Sequence, residues 1–186
     1  MFTGELVTLG PIQREYLPHY VEWLNDWEIR RFLAPTLAQP YAIEDEEEWF
    51  NHQRQAKNDR HFAILTREQG RLLGNCGLHQ IDWSNRHATF GIFIGDRNHW
   101  GKGYGTDATR TLLRFAFQEA NLHRIELEVF AFNPRAIRSY EKCGFKLEGI
   151  RRQALFREGA WHDEHIMAIL QDEWVALNKL AQPKPY

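Results

Sequence analysis

Three glycines at alternate positions, Gly101, Gly103 and Gly105, stand between a β-rich run that ends at Ile94 and a helical pattern that begins about Thr106. A strand handed to a helix through such a turn brings unpaired N–H groups and the positive end of the helix to one point, which suits an anion. Without Cβ atoms, the turn lets a phosphate approach the backbone closely. Two other phosphate motifs fail on the letters. A P-loop needs Ser or Thr after its lysine, and Lys102 is followed by Gly103. The dinucleotide fingerprint needs a third glycine where Thr106 stands, and it needs a parallel βαβ setting. Glu126, at the spacing of a ribose-binding acid, is then a coincidence. An isolated glycine cluster also suits a merely flexible helix start, so the neighbouring segments decide.

Those segments read as one α+β domain over residues 1–180, followed by an irregular tail, 181–186. A strand around Glu5 to Leu9 precedes a helix with Leu17, Tyr20, Val21 and Leu24 on one stripe and a second helix from about Ile43 to Ala56. Pro35 and Pro40 separate the two helices. Short β-rich runs then cover Phe62 to Thr66, Leu72 to Leu78 and Ala88 to Ile94, with turn residues between them, as in an antiparallel meander. After the glycine turn come a helix to about Ala120, a strand Arg124 to Ala131, a helix Pro134 to Cys143 and two strands meeting at Arg157-Glu158-Gly159. The sheet is therefore mixed. At 186 residues with 43% hydrophobic and 26% charged, the chain suits a single core. A net charge of -2 and a pI near 6.5 give no basis for nucleic-acid binding. The N-terminus has no signal-peptide pattern and no apolar run reaches spanning length, so a cytoplasmic chain with no membrane partner is expected.

Chemistry-bearing residues cluster after Arg124. In Ile125-Glu126-Leu127-Glu128-Val129 the two carboxylates share one strand face, either as a solvated surface or as part of a site. Asn133-Pro134 is a strong helix start and Gly144 the matching stop. Two helical turns place Asn133 and Tyr140 near one line with Ala136 and Ile137; Tyr140 either shares a cleft with Asn133 or packs in the core with its hydroxyl on a carbonyl. Cys76 and Cys143 have no metal-ligand spacing and read as small buried residues; Cys143 has no histidine near it in sequence to make it a nucleophile. His162 and His165 lack the helical spacing of a zinc pair, and no metal is expected. The run Glu44-Asp45-Glu46-Glu47-Glu48 attracts cations in principle, but acidic residues also complement a helix N-terminus. Trp23, Trp27, Trp49 and Phe50 either wall a pocket or belong to the core.

Together these pieces, from Phe90 to Leu170, resemble the GNAT acetyltransferases. Gly101-Lys102-Gly103-Tyr104-Gly105 is similar to their coenzyme A loop, and Asn133 to Phe145 to their cofactor helix. The similarity is greatest to the branch holding ribosomal-protein N-terminal acetyltransferases and spermidine acetyltransferases, through Asn121 to Ile125 and Arg157 to Met167; residues 1 to 60 fit more loosely. The resemblance implies the GNAT fold, an α/β sandwich whose mixed, mostly antiparallel sheet carries helices on both faces. It implies acetyl-CoA as co-substrate, with backbone groups of Phe93 and Ile94 on the pantetheine and thioester, Trp100 to Thr106 on the pyrophosphate, and Asn133 and Ala136 along the cofactor arm. Tyr140 stands where the family places an acid for the coenzyme A sulfur, and Glu128 where some members place a base. Trp100 departs from the family's usual Gln or Arg. The implied reaction is direct transfer to a primary amine, with an amide near Ile94 stabilising the oxyanion and no acyl-enzyme. A protein or peptide N-terminal α-amine is the first expectation for the acceptor, a polyamine or other small amine the alternative, and a silent coenzyme A sensor the second alternative. A homodimer is expected from the resemblance.

Overall fold

The computed structural model describes residues 1–33 and 39–181. Eight strands form one sheet in the order β1-β2-β3-β4-β5-β6-β8-β7. They are β1 (Phe2–Thr3), β2 (Val7–Gly10), β3 (Arg60–Thr66), β4 (Leu72–Asp82), β5 (His87–Ile94), β6 (Arg124–Phe130), β7 (Lys146–Arg157) and β8 (Ala160–Leu170). Every neighbouring pair is antiparallel except β5 and β6, which run parallel. The expected α+β sandwich with a mixed, mostly antiparallel sheet is what the chain builds.

Side chains alternate across the pleat, so each strand feeds two layers. On one face Cys76 and Leu78 of β4, Phe90 of β5, and Ile125, Leu127 and Val129 of β6 pack with α4 (Tyr104–Arg114), α5 (Pro134–Lys142) and α6 (Gln171–Ala181). On the other, Ala63, Leu65 and Phe93 meet α1 (Leu17–Asn25) and α3 (Ile43–Gln55) through Leu17, Tyr20 and Phe50. A short helix, α2 (Trp27–Arg30), follows α1, with the Asp26 side chain accepting the Glu28 N–H. Glu44, Asp45 and Glu46 occupy the first turn of α3, where they face its positive end, and Asp45 accepts the Ala42 N–H. Trp27 is exposed, whereas Trp23, Trp49 and Phe50 pack around Tyr20 and Phe93.

Several boundaries differ from the sequence reading, each for a physical reason. The strand expected to stop at Leu78 continues to Asp82 through a bulge between His79 and Asp82, with Gln80 at φ 51°. The helix expected from Thr106 starts at Tyr104, capped by Gly103, and widens into a π-helical turn over Phe115–Glu119. A closing helix, α6, was not anticipated. Its first turn holds Asp172 and Glu173, Glu173 caps the Leu170 N–H, and Trp174 enters the core. The expected tail begins inside this helix at Ala181, and residues 182–186, like Pro35, lie outside the described residues.

One buried carboxylate ties the first hairpin of the sheet to α4. Asp107, in the first turn of α4, accepts N–H groups from Glu5 (3.1 Å), Leu6 (2.8 Å) and Val7 (3.0 Å). Asp107→Ala leaves three donors without their acceptor, and a loss of about 2–4 kcal/mol is expected in urea unfolding. A second prediction concerns Glu46, which is 5% exposed. Burial, helped by Asp45, holds its carboxyl at about 7 instead of 4.5. Between those values the folded protein keeps a proton that the unfolded chain has released, so stability falls as pH rises through that window. Glu46→Gln should flatten that slope in denaturation curves recorded at a series of pH values.

Candidate active site

The parallel ladder between β5 and β6 is short. It pairs His87 with Arg124, Ala88 with Ile125 and Thr89 with Glu126, and then stops. Beyond it, the register with β4 and the bond from Gly95 N–H to the Leu73 carbonyl turn the backbone groups of Phe93 towards Asn75. Alternation turns those of Ile92 and Ile94 the other way, into the space between the separating strands. Of the two residues expected to hold the pantetheine, Ile94 therefore faces the gap with its backbone. Phe93 does not: its peptide groups lie in the β4 ladder and its ring packs on Tyr20 and Trp23, 5.9 and 6.1 Å between centroids. Its neighbour Ile92 faces the gap with its backbone, while Phe93 lines the adjoining cavity.

The gap opens into a cavity of about 650 Å³. The glycine turn closes one end. Gly101 (φ 71°) and Gly103 (φ 91°) are both left-handed, a conformation that glycine adopts without penalty, and nothing lies within 4 Å of a Cβ placed on Gly101. The first helical bond of α4 runs from Asp107 N–H to the Gly103 carbonyl, so the N–H groups of Tyr104, Gly105 and Thr106 have no partner in the helix. Gly101, Gly103, Gly105 and Thr106 line the cavity, whereas Lys102 is exposed and Tyr104 turns its ring to His99. The loop thus offers backbone dipoles.

Trp100 does not supply a polar group to that cradle. Its indole N–H donates to the Ile94 carbonyl at 2.7 Å, and the Arg135 guanidinium lies 3.7 Å from its ring centroid. The tryptophan therefore fixes the end of β5 and forms a cavity wall. From α5, Asn133 caps the helix by accepting the Ala136 N–H at 3.2 Å, and both residues line the cavity. Tyr140, on the same side, is 9% exposed and packs edge-on to Phe90. Its hydroxyl has no hydrogen bond among the described residues, and burial pushes the phenol far above its ordinary value. It is a protonated donor facing an open space.

Glu128 also lines the cavity and forms an ion pair with Arg151, which reaches Glu164 at 2.9 Å. Glu126, its neighbour on the strand face, pairs instead with Arg124 and His87. Cys143 is buried, donates weakly to the Thr106 carbonyl at 3.5 Å, and has its thiol pushed up to about 11 by burial, so it supplies no thiolate. Thr106 and Ser139 share a 2.8 Å hydroxyl bond that ties α4 to α5 beside the cavity.

A family model described as an acetyltransferase (GNAT) domain matches residues 7–146. The chain belongs to the GNAT acetyltransferases. It is 33% identical over 170 residues to the spermidine N(1)-acetyltransferase of Vibrio cholerae serotype O1, covering 91% of this chain and 95% of that protein. It is 35% identical over 105 residues to YdaF of Bacillus subtilis, named as a candidate ribosomal N-acetyltransferase, covering 56% and 57%. Its fold matches the crystal structure of spermidine N-acetyltransferase from Vibrio cholerae in complex with CoA and spermine at a TM-score of 0.83, 30% identity and 91% and 98% coverage.

As a GNAT enzyme the protein uses acetyl-CoA as its acetyl donor, and the open N–H cradle at Gly101 to Thr106 fits a pyrophosphate. No helix among the described residues is long and apolar enough to cross a membrane. Sequence reading passed over Arg138 and Lys142, which line the cavity from α5 one turn apart and suit further phosphates. With Arg135 they form a cationic stripe at i, i+3 and i+7, a signal present in the letters. Gly103→Ala forces an L-residue into the left-handed region at a cost of about 1–2 kcal/mol. Coenzyme A affinity in calorimetry should fall roughly tenfold.

Proposed function

We propose that this GNAT enzyme acetylates a primary amine of a polyamine or similar small cation. Kinship over nine-tenths of the chain to a spermidine acetyltransferase carries the acceptor class. The expectation of an N-terminal α-amine has weaker support, because the similarity to YdaF covers 56% of this chain. Geometry supports the same choice. A second cavity, about 400 Å³, shares Ile29 with the first and is lined by Glu22, Asp26, Asp96 and Trp23. Asp26 and Asp96 pair with Arg97 and Arg71, while Glu22 has no ion pair among the described residues. Arg71 and Arg97 also line this second cavity, so Glu22 and the Trp23 ring are what it offers an extended cation.

In this reading the glycine turn and the α5 cations hold the donor's phosphates, and Ile92 and Ile94 align its pantetheine along the open strand edge. The donor supplies an activated thioester carbonyl. The N–H of Ile94 points to where negative charge develops on the carbonyl oxygen, a contact that strengthens during reaction. An amine near 10.4 must lose a proton before it attacks, and Glu128 accepts that proton through water, with Arg151 orienting the carboxylate. Tyr140 donates a hydrogen bond to the departing sulfur. Because burial makes the phenol a weaker acid, its contribution is to stabilise thiolate charge more than to surrender its proton.

Tyr140→Phe should lower kcat roughly 10²-fold with little change in coenzyme A affinity. Unchanged turnover removes Tyr140 from the chemistry. The acceptor is tested by thioester consumption with spermidine, spermine, peptides with free N-termini, amino acids and aminoglycosides. Highest kcat/KM on a polyamine supports the proposal, a peptide preference restores the α-amine reading, and tight coenzyme A binding without turnover indicates a sensor.

A further inference from the structure

At the edge of the main cavity, Asp59, His61 and His79 come together on the sheet face covered by α1 and α3. Asp59 and His61 are two residues apart at the start of β3, and His79 lies on neighbouring β4. Their candidate ligand atoms all fall within 4.8 Å of one another, the one such group of three His, Cys, Asp or Glu residues among those described. The two imidazoles stand 4.8 Å apart between centroids at 66°. Neither ring has a hydrogen bond among the described residues, so both keep nitrogen lone pairs available.

The surrounding backbone is shaped to this pair. Gly77 and Gly91 face each other across β4 and β5. A Cβ on Gly77 would lie 2.7 Å from the Arg60 carbonyl oxygen and 3.2 Å from His61 Nδ1, and one on Gly91 would lie 2.9 Å from His79 Nε2. Two facing glycines thus provide the floor over which the rings lie. The bulge after His79 leaves the Gln80 N–H unpaired in the ladder, and Asp59 Oδ1 accepts it at 2.9 Å. That bond orients the carboxylate and leaves its second oxygen for another partner, an arrangement typical of a ligand supported from behind. On the outer side, Trp49 sets its ring edge-on to His61 at 5.5 Å.

We propose that Asp59, His61 and His79 bind one divalent transition ion of the zinc class. Two imidazole nitrogens and one carboxylate oxygen are a suitable donor set, and three protein ligands leave a position open. His79 also lines the main cavity, so the ion would sit beside that cavity. Zinc bonds of about 2.0–2.1 Å imply ligand atoms about 3.4 Å apart, so the side chains close inward when the ion enters. The sequence hid this site because its third ligand is on another strand, eighteen residues from His61.

The experiment uses the full chain, freed of metal with a chelator, titrated with Co²⁺ and read by visible absorption, then challenged with Zn²⁺. One equivalent of Co²⁺ should bind and Zn²⁺ should displace it. Loss of an outer supporting contact already costs roughly 10–100-fold in affinity, so His61→Ala and His79→Ala should each exceed that, while exposed His123→Ala leaves binding intact. No saturable uptake by the wild type, or uptake unaffected by the His61 and His79 substitutions, overturns the proposal. Should those variants fail to fold, imidazole NMR of the wild type decides. Two of the nine histidines should shift together with one equivalent of Zn²⁺, and shifts spread over many histidines contradict the site.

Discussion

The site follows from one constraint, that β5 and β6 are parallel neighbours sharing a ladder of only three residue pairs. Parallel neighbours cannot be joined by a tight turn, so the chain must cross over the sheet between them, and α4 makes that crossing. The same geometry returns the N-terminus of α4 to the end of β5, where the ladder has stopped. The end of β6 meets α5 in the same place, with Asn133 as its cap. Two helix starts and two unpaired strand edges therefore converge without any loop having to reach across the molecule. What the sheet loses in hydrogen bonds there is available to a ligand.

The parts of this arrangement that depend on local chemistry were legible from the letters. The glycine turn, the Asn133-Pro134 start and the alternation from Ile125 to Val129 each carry their meaning within a few residues, and the resemblance joined them. The choice between Ile92 and Phe93 depends on register with β4, so a shift of one residue exchanges their roles. Trp100 was visible as a departure from the family, yet its partner is a carbonyl six residues away that only the folded turn brings near. The bulge at Gln80 and the helix α6 were missed because a left-handed glutamine has no strong sequence signal and because α6 follows a strand directly. Asp107 was hidden most completely. Its partners are a hundred residues earlier.

Cavity polarity has a simple division. Towards the turn, neutral backbone dipoles are backed by cations of α5; towards β6, β7 and β8, carboxylates are paired with Arg151. Between them lie Phe90, Ile92 and Tyr140, a region where a hydrogen bond is stronger than in water. In the proposed reaction, a negative donor meets the cationic side, a positive acceptor meets the carboxylate side, and the apolar strip lies between them. Tyr140 is a neutral group there because its buried surroundings disfavour phenolate.

The three hydrogen bonds to Asp107 have a further meaning for how the chain is made. Residues 5 to 7 are made about a hundred residues before their acceptor, so the opening hairpin stays without this anchor until α4 has been made. Contacts of such sequence separation slow folding, because a large loop must close before they form. The first edge of the sheet and the glycine turn thus share one anchor, Asp107. A nascent chain stalled before residue 107 lacks it.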